Sequence, residues 1–451
     1  MPAGKKSSKQ KPSNKSSNSG SSASEPGKQK LRVKRKSEGN FENIKKKHCS
    51  SSKSNFVNLY GPEKRELFTR SFDFSPLNYI KYLPMGQCSA LNLRKYAATF
   101  IINDIAKKKV PTTLNPFERR VTAIAWHPKY SQIAVAASKG GELSLYNLNK
   151  PGSSFIPGIG PGGSIVGLKF HQDDPSLIYT TSITGDIRLD DFSGRRGKIL
   201  ASIGCFDNWF SSLDVCYNRK LLISGNTAGN VCLISVDGQK VWPKSKHLHK
   251  KKITHVEFSA ADPNIFVTSS IDHSVKLWDL RMMSDSELKP KPIREFVHVK
   301  GVNSAYFSPS NRHSLLTTDQ HSEIRVYKSP MWDEELIINH PHRHFQHLTP
   351  IKATWHPLED IIVVGRYPDC GVNENTVRYI DFFDGSTGKL LHKWSSPNGG
   401  ILSLNVFNIS GDCLASGTGS YVVFWKDKDV FDGLSFQKSM VNGQRRTLSL
   451  I

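Results

Sequence analysis

The chain has 451 residues and a formal net charge of +23. Its seven cysteines are dispersed, at 49, 88, 205, 216, 232, 370 and 413, with no C-x-x-C pair, which reads as reduced thiols rather than a disulfide scaffold. The charged N-terminus has no apolar h-region, and no run is long enough to span a bilayer, so secretion and membrane insertion are not expected.

Residues 1–60 read as a disordered basic tail. The first 54 residues hold 15 Lys or Arg against Glu25, Glu38 and Glu42 and have almost no aromatics, so they bury too little surface to offset ordering entropy. LRVKRK (31–36) and KKK (45–47) have the composition of nuclear-import clusters, and a nuclear location is expected.

Residues 61–112 read as a helical extension. Pro76 to Leu83 begins with a residue suited to a first helical turn and stops before Pro84. Leu91 to Lys109 sets Leu93, Ala97, Phe100, Ile101 and Ile105 at helical spacing, with Lys107, Lys108 and Lys109 at the end favoured by the helix dipole. The helices either lie along the flank of the following domain or present Phe100 and Ile101 to another protein.

From 113 to 428 one block recurs: an apolar alternating strand, a polar turn, a second strand, a Gly- or Asp-centred turn and a third strand. First strands begin near Val121, Ser164, Trp209, Lys252, Gly301, Pro350 and Gly400. The gaps between them are 43, 45, 43, 49, 49 and 50 residues, the period of WD repeats lengthened by loops. The fourth block ends in the diagnostic SVKLWDLR (274–281). The fold class is all-β: a seven-bladed WD-repeat β-propeller preceded by the helical extension and tail, and followed by a C-terminal tail at 429–451.

Propeller geometry sorts the loops by face. Links between blades and the loops between second and third strands share one face, which collects Arg119, Arg120, Lys139, Lys250 to Lys252, Lys300, Arg343 and Arg366. Trp209 and Ile401 lie in two of the same links. Cations recurring around aromatic and apolar residues form the footprint of nucleic-acid binding, with a solvated basic rim as the plainer reading. The link HPHRHFQHLTP (340–350) carries closely spaced histidines. They match no zinc pattern and have no cysteine or carboxylate beside them in the sequence, so no metal is expected. Phe345 either folds inward as loop core or projects with Gln346 and His347 as a wedge for the minor groove, where insertion is cheapest at an already weakened base step.

These motifs together, with SKGGELSLYN, GIGPGGSIVGLKF, HKKKITHV, LLTTDQHSEIRVY and VVGRYPD, resemble the DNA damage-binding protein 2 family, the small WD-repeat subunits of UV-damaged-DNA-binding complexes. The resemblance covers roughly residues 90–426. It implies that Phe345, Gln346 and His347 insert at the lesion while damaged bases flip into a shallow pocket lined by Trp209 and Ile401. It also implies that Arg119, Lys139 and Lys252 contact phosphates, with Arg343 and Arg378 nearby. Asp279 and Arg281 of WDLR end a third strand on the opposite face. There the resemblance implies contact with a large multi-propeller adaptor that links the chain to a cullin-RING ubiquitin ligase, Phe100 and Ile101 being a second contact. Trp278 and Asp279 also read as blade-packing residues, which would leave Arg281 alone as the contact. Nucleotide excision repair on chromatin follows as the expected setting.

No G-x-S-x-G, P-loop or H-E-x-x-H is present, and GIGPGG (158–163) precedes a strand instead of opening a helix. Neither an enzyme nor a cofactor is expected. The alternative is a generic WD-repeat scaffold for histone or other peptides, which fits a basic face poorly.

Overall fold

The computed structural model describes residues 90–107, 110–150, 152–204, 207–284, 287–343, 348–367, 378–396 and 399–426. The expected first helix at 76–83, the wedge residues Phe345, Gln346 and His347, and both tails lie outside them. Seven four-stranded antiparallel sheets are present, each ordered from its first strand outward. They form a seven-bladed β-propeller, blades 1 to 6 spanning 121–156, 165–202, 210–247, 253–297, 302–339 and 354–395.

Blade 7 is built from both ends of the ring. Its first three strands are Leu404–Phe407, Leu414–Thr418 and Tyr421–Lys426, and its outermost is Val110–Leu114. Val110 pairs with Lys426 and Leu114 with Val422. The propeller thus begins at Val110, slightly before the boundary at 113 read from the repeat, because VPTTL supplies a strand that the block beginning at Gly400 lacks.

Burial follows strand position. Second strands such as Ile133–Ser138 and Leu221–Asn226 are almost wholly buried and read as unbroken runs of apolar and small residues. Outer strands such as Ser153–Ile156 are largely exposed. Each apolar cluster spans neighbouring blades: Val121, Ala134 and Tyr146 of blade 1 pack with Leu404, Ala415 and Phe424 of blade 7. No blade covers both of its own faces, so stacking supplies the hydrophobic stabilisation.

Tight turns repeat with the blades. Gly229 sits at φ +82°, and a Cβ there would lie 1.9 Å from the His249 carbonyl oxygen. In blade 4 the matching turn uses His273 at φ 73°. Asp272 secures that turn: it accepts from the Lys250 N–H and the Ser274 hydroxyl and contacts His249 Nδ1 at 3.0 Å. Burial opposes the Asp272 charge, but these hydrogen bonds hold its pKa well below the usual carboxylate range. His249 Nε2 meets Thr268 Oγ1 at 2.7 Å, and Trp278 Nε1 donates to the same oxygen at 2.8 Å.

The helix Ala90–Lys107 lies on blades 6 and 7. Ile105 is fully buried beside Trp394, Leu402 and Trp425, and Trp394 Nε1 donates to the Ile105 carbonyl at 3.1 Å. No described helix is long and apolar enough to cross a membrane.

Candidate nucleic-acid interface

The face carrying the blade-to-blade links is held by one repeated backbone hydrogen bond. The N–H just past the second strand donates to the carbonyl just before the first: Lys139 to Arg120 at 2.9 Å, Ile183 to Ser164 at 3.0 Å, Thr227 to Trp209 at 3.1 Å, Ile271 to Lys252 at 3.1 Å and Gln320 to Gly301 at 2.8 Å. Both loop classes assigned to this face are therefore tied together there. In the same five blades the first strand has a register irregularity beside this bond, a feature that re-aims side chains.

Arg119, Lys139, Lys250, Lys251, Lys300 and Arg343 are exposed on this face. Lys252 is half-buried, and burial lowers its pKa. Trp209 is half-buried, its N–H 3.3 Å from Thr227 Oγ1. Ile401 packs partly against the cluster containing Ile351, Val364 and Tyr367, so only part of it is available to a ligand. Arg378 directly precedes the strand Tyr379–Asp384 and is half-buried. Arg366 departs from the sequence reading of a free basic rim: its Nε lies 2.7 Å from Asp381 Oδ2.

The base of the 340–350 link is braced on both arms. His340 and His342 are buried, with their Nδ1 atoms 3.2 Å apart. His342 Nε2 lies 3.2 Å from Asp319 Oδ1, and His340 Nε2 lies 3.3 Å from Asp381 Oδ2. Three such contacts call for three N–H groups, whereas two neutral imidazoles carry two. Burial pushes the His340 pKa down to about 4, and its Nε2 makes no hydrogen bond, so the short Arg366 contact holds Asp381 in its place. The Tyr367 N–H donates to the Pro341 carbonyl at 2.8 Å on the same arm. On the other arm Thr349 Oγ1 donates to the Val121 carbonyl at 2.7 Å. Among the described residues no group of His, Cys, Asp or Glu is arranged to hold a metal ion.

Sequence reading missed the cations of the central channel. Lys169 lies on an inner strand and Lys352 just before one, inside the apolar-looking runs IVGLKF and IKATW, and both line the channel. A lysine at an inward position of an alternating strand was the available signal. It also missed Thr349 and the carboxylates Asp319 and Asp381, which come from distant parts of the chain.

On the opposite face Asp279 accepts two hydrogen bonds from Arg281, at 3.0 Å from Nε and 2.7 Å from Nη2, as well as the Arg281 N–H. Arg281 Nη2 also reaches Asp262 at 3.3 Å. Asp279 is thus buried and occupied, while the exposed Arg281 guanidinium is held in a fixed pose. Phe100 is 74% exposed, whereas Ile101 packs partly on the blade 6 and 7 core. The helix therefore docks one side on the propeller and leaves an aromatic ring of another side in solvent.

Residues 243–279 match the model of the WD domain, G-beta repeat. The chain is 42% identical to DNA damage-binding protein 2 of Danio rerio over 375 residues, 82% of this chain and 74% of that protein. It is 41% identical to DNA damage-binding protein 2 of Bos taurus, over 76% of this chain and 81% of the relative. The chain belongs to the DNA damage-binding protein 2 family. The Oryza sativa member is 30% identical over 70% of this chain and 56% of its own length, so likeness to DNA damage-binding protein 2 extends to plants.

Proposed function

We propose that the chain binds damaged DNA through the basic face of its propeller and does not itself catalyse a reaction. The observation that carries this reading is the recurrence of Lys139 and Lys252 at tied positions, with Arg119 next to one of them, on one face beside a link braced at both arms. Cations at fixed spacing hold phosphates without reading sequence, and selectivity then comes from how easily the duplex deforms. In the finer reading the lesions are UV photoproducts. Phe345, Gln346 and His347 enter the minor groove, damaged bases leave the stack toward Trp209 and Ile401, and Arg343 and Arg378 support the backbone. On the other face Arg281, set by Asp279, and the helix bearing Phe100 and Ile101 contact a large adaptor of a cullin-RING ubiquitin ligase. The chain would thus be a substrate receptor in the nucleus, acting in nucleotide excision repair on histone-bearing chromatin.

The test compares affinity for irradiated and intact duplexes, for the native chain and for a triple change of Phe345, Gln346 and His347 to Ala. The triple variant keeps every phosphate cation, so affinity for intact DNA should persist while lesion preference collapses, by the few kcal/mol that unstacking costs. An unchanged preference together with an early melting transition would make Phe345 loop core and overturn the wedge. A native chain that binds both duplexes equally would overturn damage recognition itself.

A further inference from the structure

The channel along the ring axis contains a polar cluster that the interface does not use. In blades 3, 4 and 5 the residues just past the register irregularity of the inner strand are Ser212, His255 and Ser304. Lys352 precedes Thr354 and Trp355 in blade 6 as Ser304 precedes Tyr306 and Phe307 in blade 5. Three consecutive inner strands, and the segment leading into the next, thus carry a polar residue at one level. Ser212, His255 and Lys352 line a cavity of about 440 Å³.

The hydrogen bonding of this level is incomplete within the protein. His255 is 8% exposed, Ser212 3% and Ser304 0%. Among the described residues His255 Nδ1, Ser212 Oγ and Ser304 Oγ have no hydrogen-bond partner, which is costly for buried polar atoms. The His255 ring leans on Tyr306 with centroids 4.3 Å apart, which fixes its plane.

Charge at the same level is unbalanced. Burial and the like charges of Lys252 and Lys169 push the Lys352 pKa down to about 8. Lys169 is already engaged, with Asp214 Oδ1 at 2.7 Å. Burial and the Asp214 charge push the Glu257 carboxyl up, and its Oε2 is occupied by the Phe307 N–H at 2.7 Å. Among the described residues no carboxylate pairs with Lys352. The cavity at this level therefore offers an ammonium, a hydroxyl and an imidazole, a set that suits a ligand rich in acceptors and negative charge.

We propose that this level of the channel binds a small, free, phosphate-bearing anion, held by the Lys352 ammonium and by hydrogen bonds donated from His255 and Ser212. The site lies beside Lys252 of the basic face but does not depend on the lesion reading. A cavity of this size accommodates inorganic phosphate or pyrophosphate with solvent.

The full chain in chloride buffer is titrated with inorganic phosphate and with pyrophosphate at constant ionic strength. Two quantities are read: the melting temperature, and the pH dependence of Lys352 acylation by peptide mass spectrometry. Phosphate should raise the melting temperature along a saturating curve. It should also slow Lys352 acylation, moving its apparent pKa up by a unit or more. Lys352→Met should lose the thermal response and Lys352→Arg should keep it. The acylation readout needs no variant, so a Met variant that fails to fold leaves the proposal testable. Equal thermal responses from the native chain and Lys352→Met, or no effect of phosphate beyond chloride, would overturn it. Protection of Lys352 by a damaged duplex but not by phosphate would also overturn it and assign the ammonium to the DNA backbone.

Discussion

Thr349 Oγ1 donates to the carbonyl oxygen of Val121 at 2.7 Å, joining the segment that leads into blade 6 to the first strand of blade 1. The Val121 N–H in turn donates to the Gly419 carbonyl of blade 7, also at 2.7 Å. One peptide segment of blade 1 is thus tied to its neighbour across the ring closure and to the arm of the 340–350 link. Thr349→Val keeps the shape and removes the donor. It should cost about 1 kcal/mol of stability, the usual net value of such a bond. The affinity ratio for irradiated over intact duplex should fall more than affinity for intact duplex, as titration of both duplexes alongside urea unfolding would reveal.

Charge reversals should separate cations by position. Arg119→Glu and Lys139→Glu alter exposed groups, and each should weaken binding to damaged and intact DNA alike and flatten the salt dependence by roughly one unit of slope. Lys252→Glu places a carboxylate beside Lys352, where the native pair repels. Its loss of DNA affinity should therefore come with a melting temperature at or above the native value. Unchanged salt slopes in all three variants would move the DNA to another surface.

Acid should weaken the base of the link before it weakens most of the propeller. His340 has a folded pKa of about 4, below the ordinary histidine value of 6.5, chiefly through burial, with the charges of His342 and Arg366 against it and Asp381 in its favour. The unfolded chain takes up this proton first, so the stability is fully present above pH 6.5 and is lost as pH falls toward 4. Each unit of depression corresponds to about 1.4 kcal/mol. His298, also near 4, contributes a similar slope, so the informative comparison is the native chain against His340→Gln. The variant should show a shallower decline of melting temperature between pH 6.5 and pH 4, and an identical decline would remove His340 from the account.

Phe100 and Ile105 should behave oppositely although they share a helix. Ile105→Ala should cost about 2 to 5 kcal/mol because it empties a buried site in the cluster that holds Trp394 and Trp425. Phe100→Asp alters an exposed ring and should leave the melting temperature within about a degree of native. Combined with Arg281→Ala it should abolish co-purification with the adaptor while lesion binding by the isolated chain persists. Ile101→Asp is unsuitable for that test, since Ile101 packs on the core.

The repeat period and the faces were legible because they follow from strand alternation and from geometry common to all blades. Trp209, Lys139 and Lys252 needed only their place beside a first or second strand. Arg366 was misjudged as free because its partner Asp381 comes from the following strand, and adjacency across a sheet has no local signature. Lys352 stayed hidden because it precedes a strand of only two residues, Thr354–Trp355, too short to show which positions face the channel. His340 and His342 stood out as a cluster, yet the hydrogen bond that braces His342 is made to Asp319 of a separate strand, while Asp381 is held by Arg366.

The pairing of Val110 with Lys426 also bears on how the protein is made. During synthesis the strand Val110–Leu114 leaves the ribosome early, and its partner Tyr421–Lys426 emerges last, after six other sheets. Until then blade 1 has an uncovered apolar flank, with Val121, Ala134 and Tyr146 awaiting Leu404 and Phe424. Partners so distant along the chain meet slowly, and exposed flanks of this kind favour association between nascent chains. Ribosome-bound chains halted before Tyr421 should consequently recruit holding chaperones far more than chains released after Lys426.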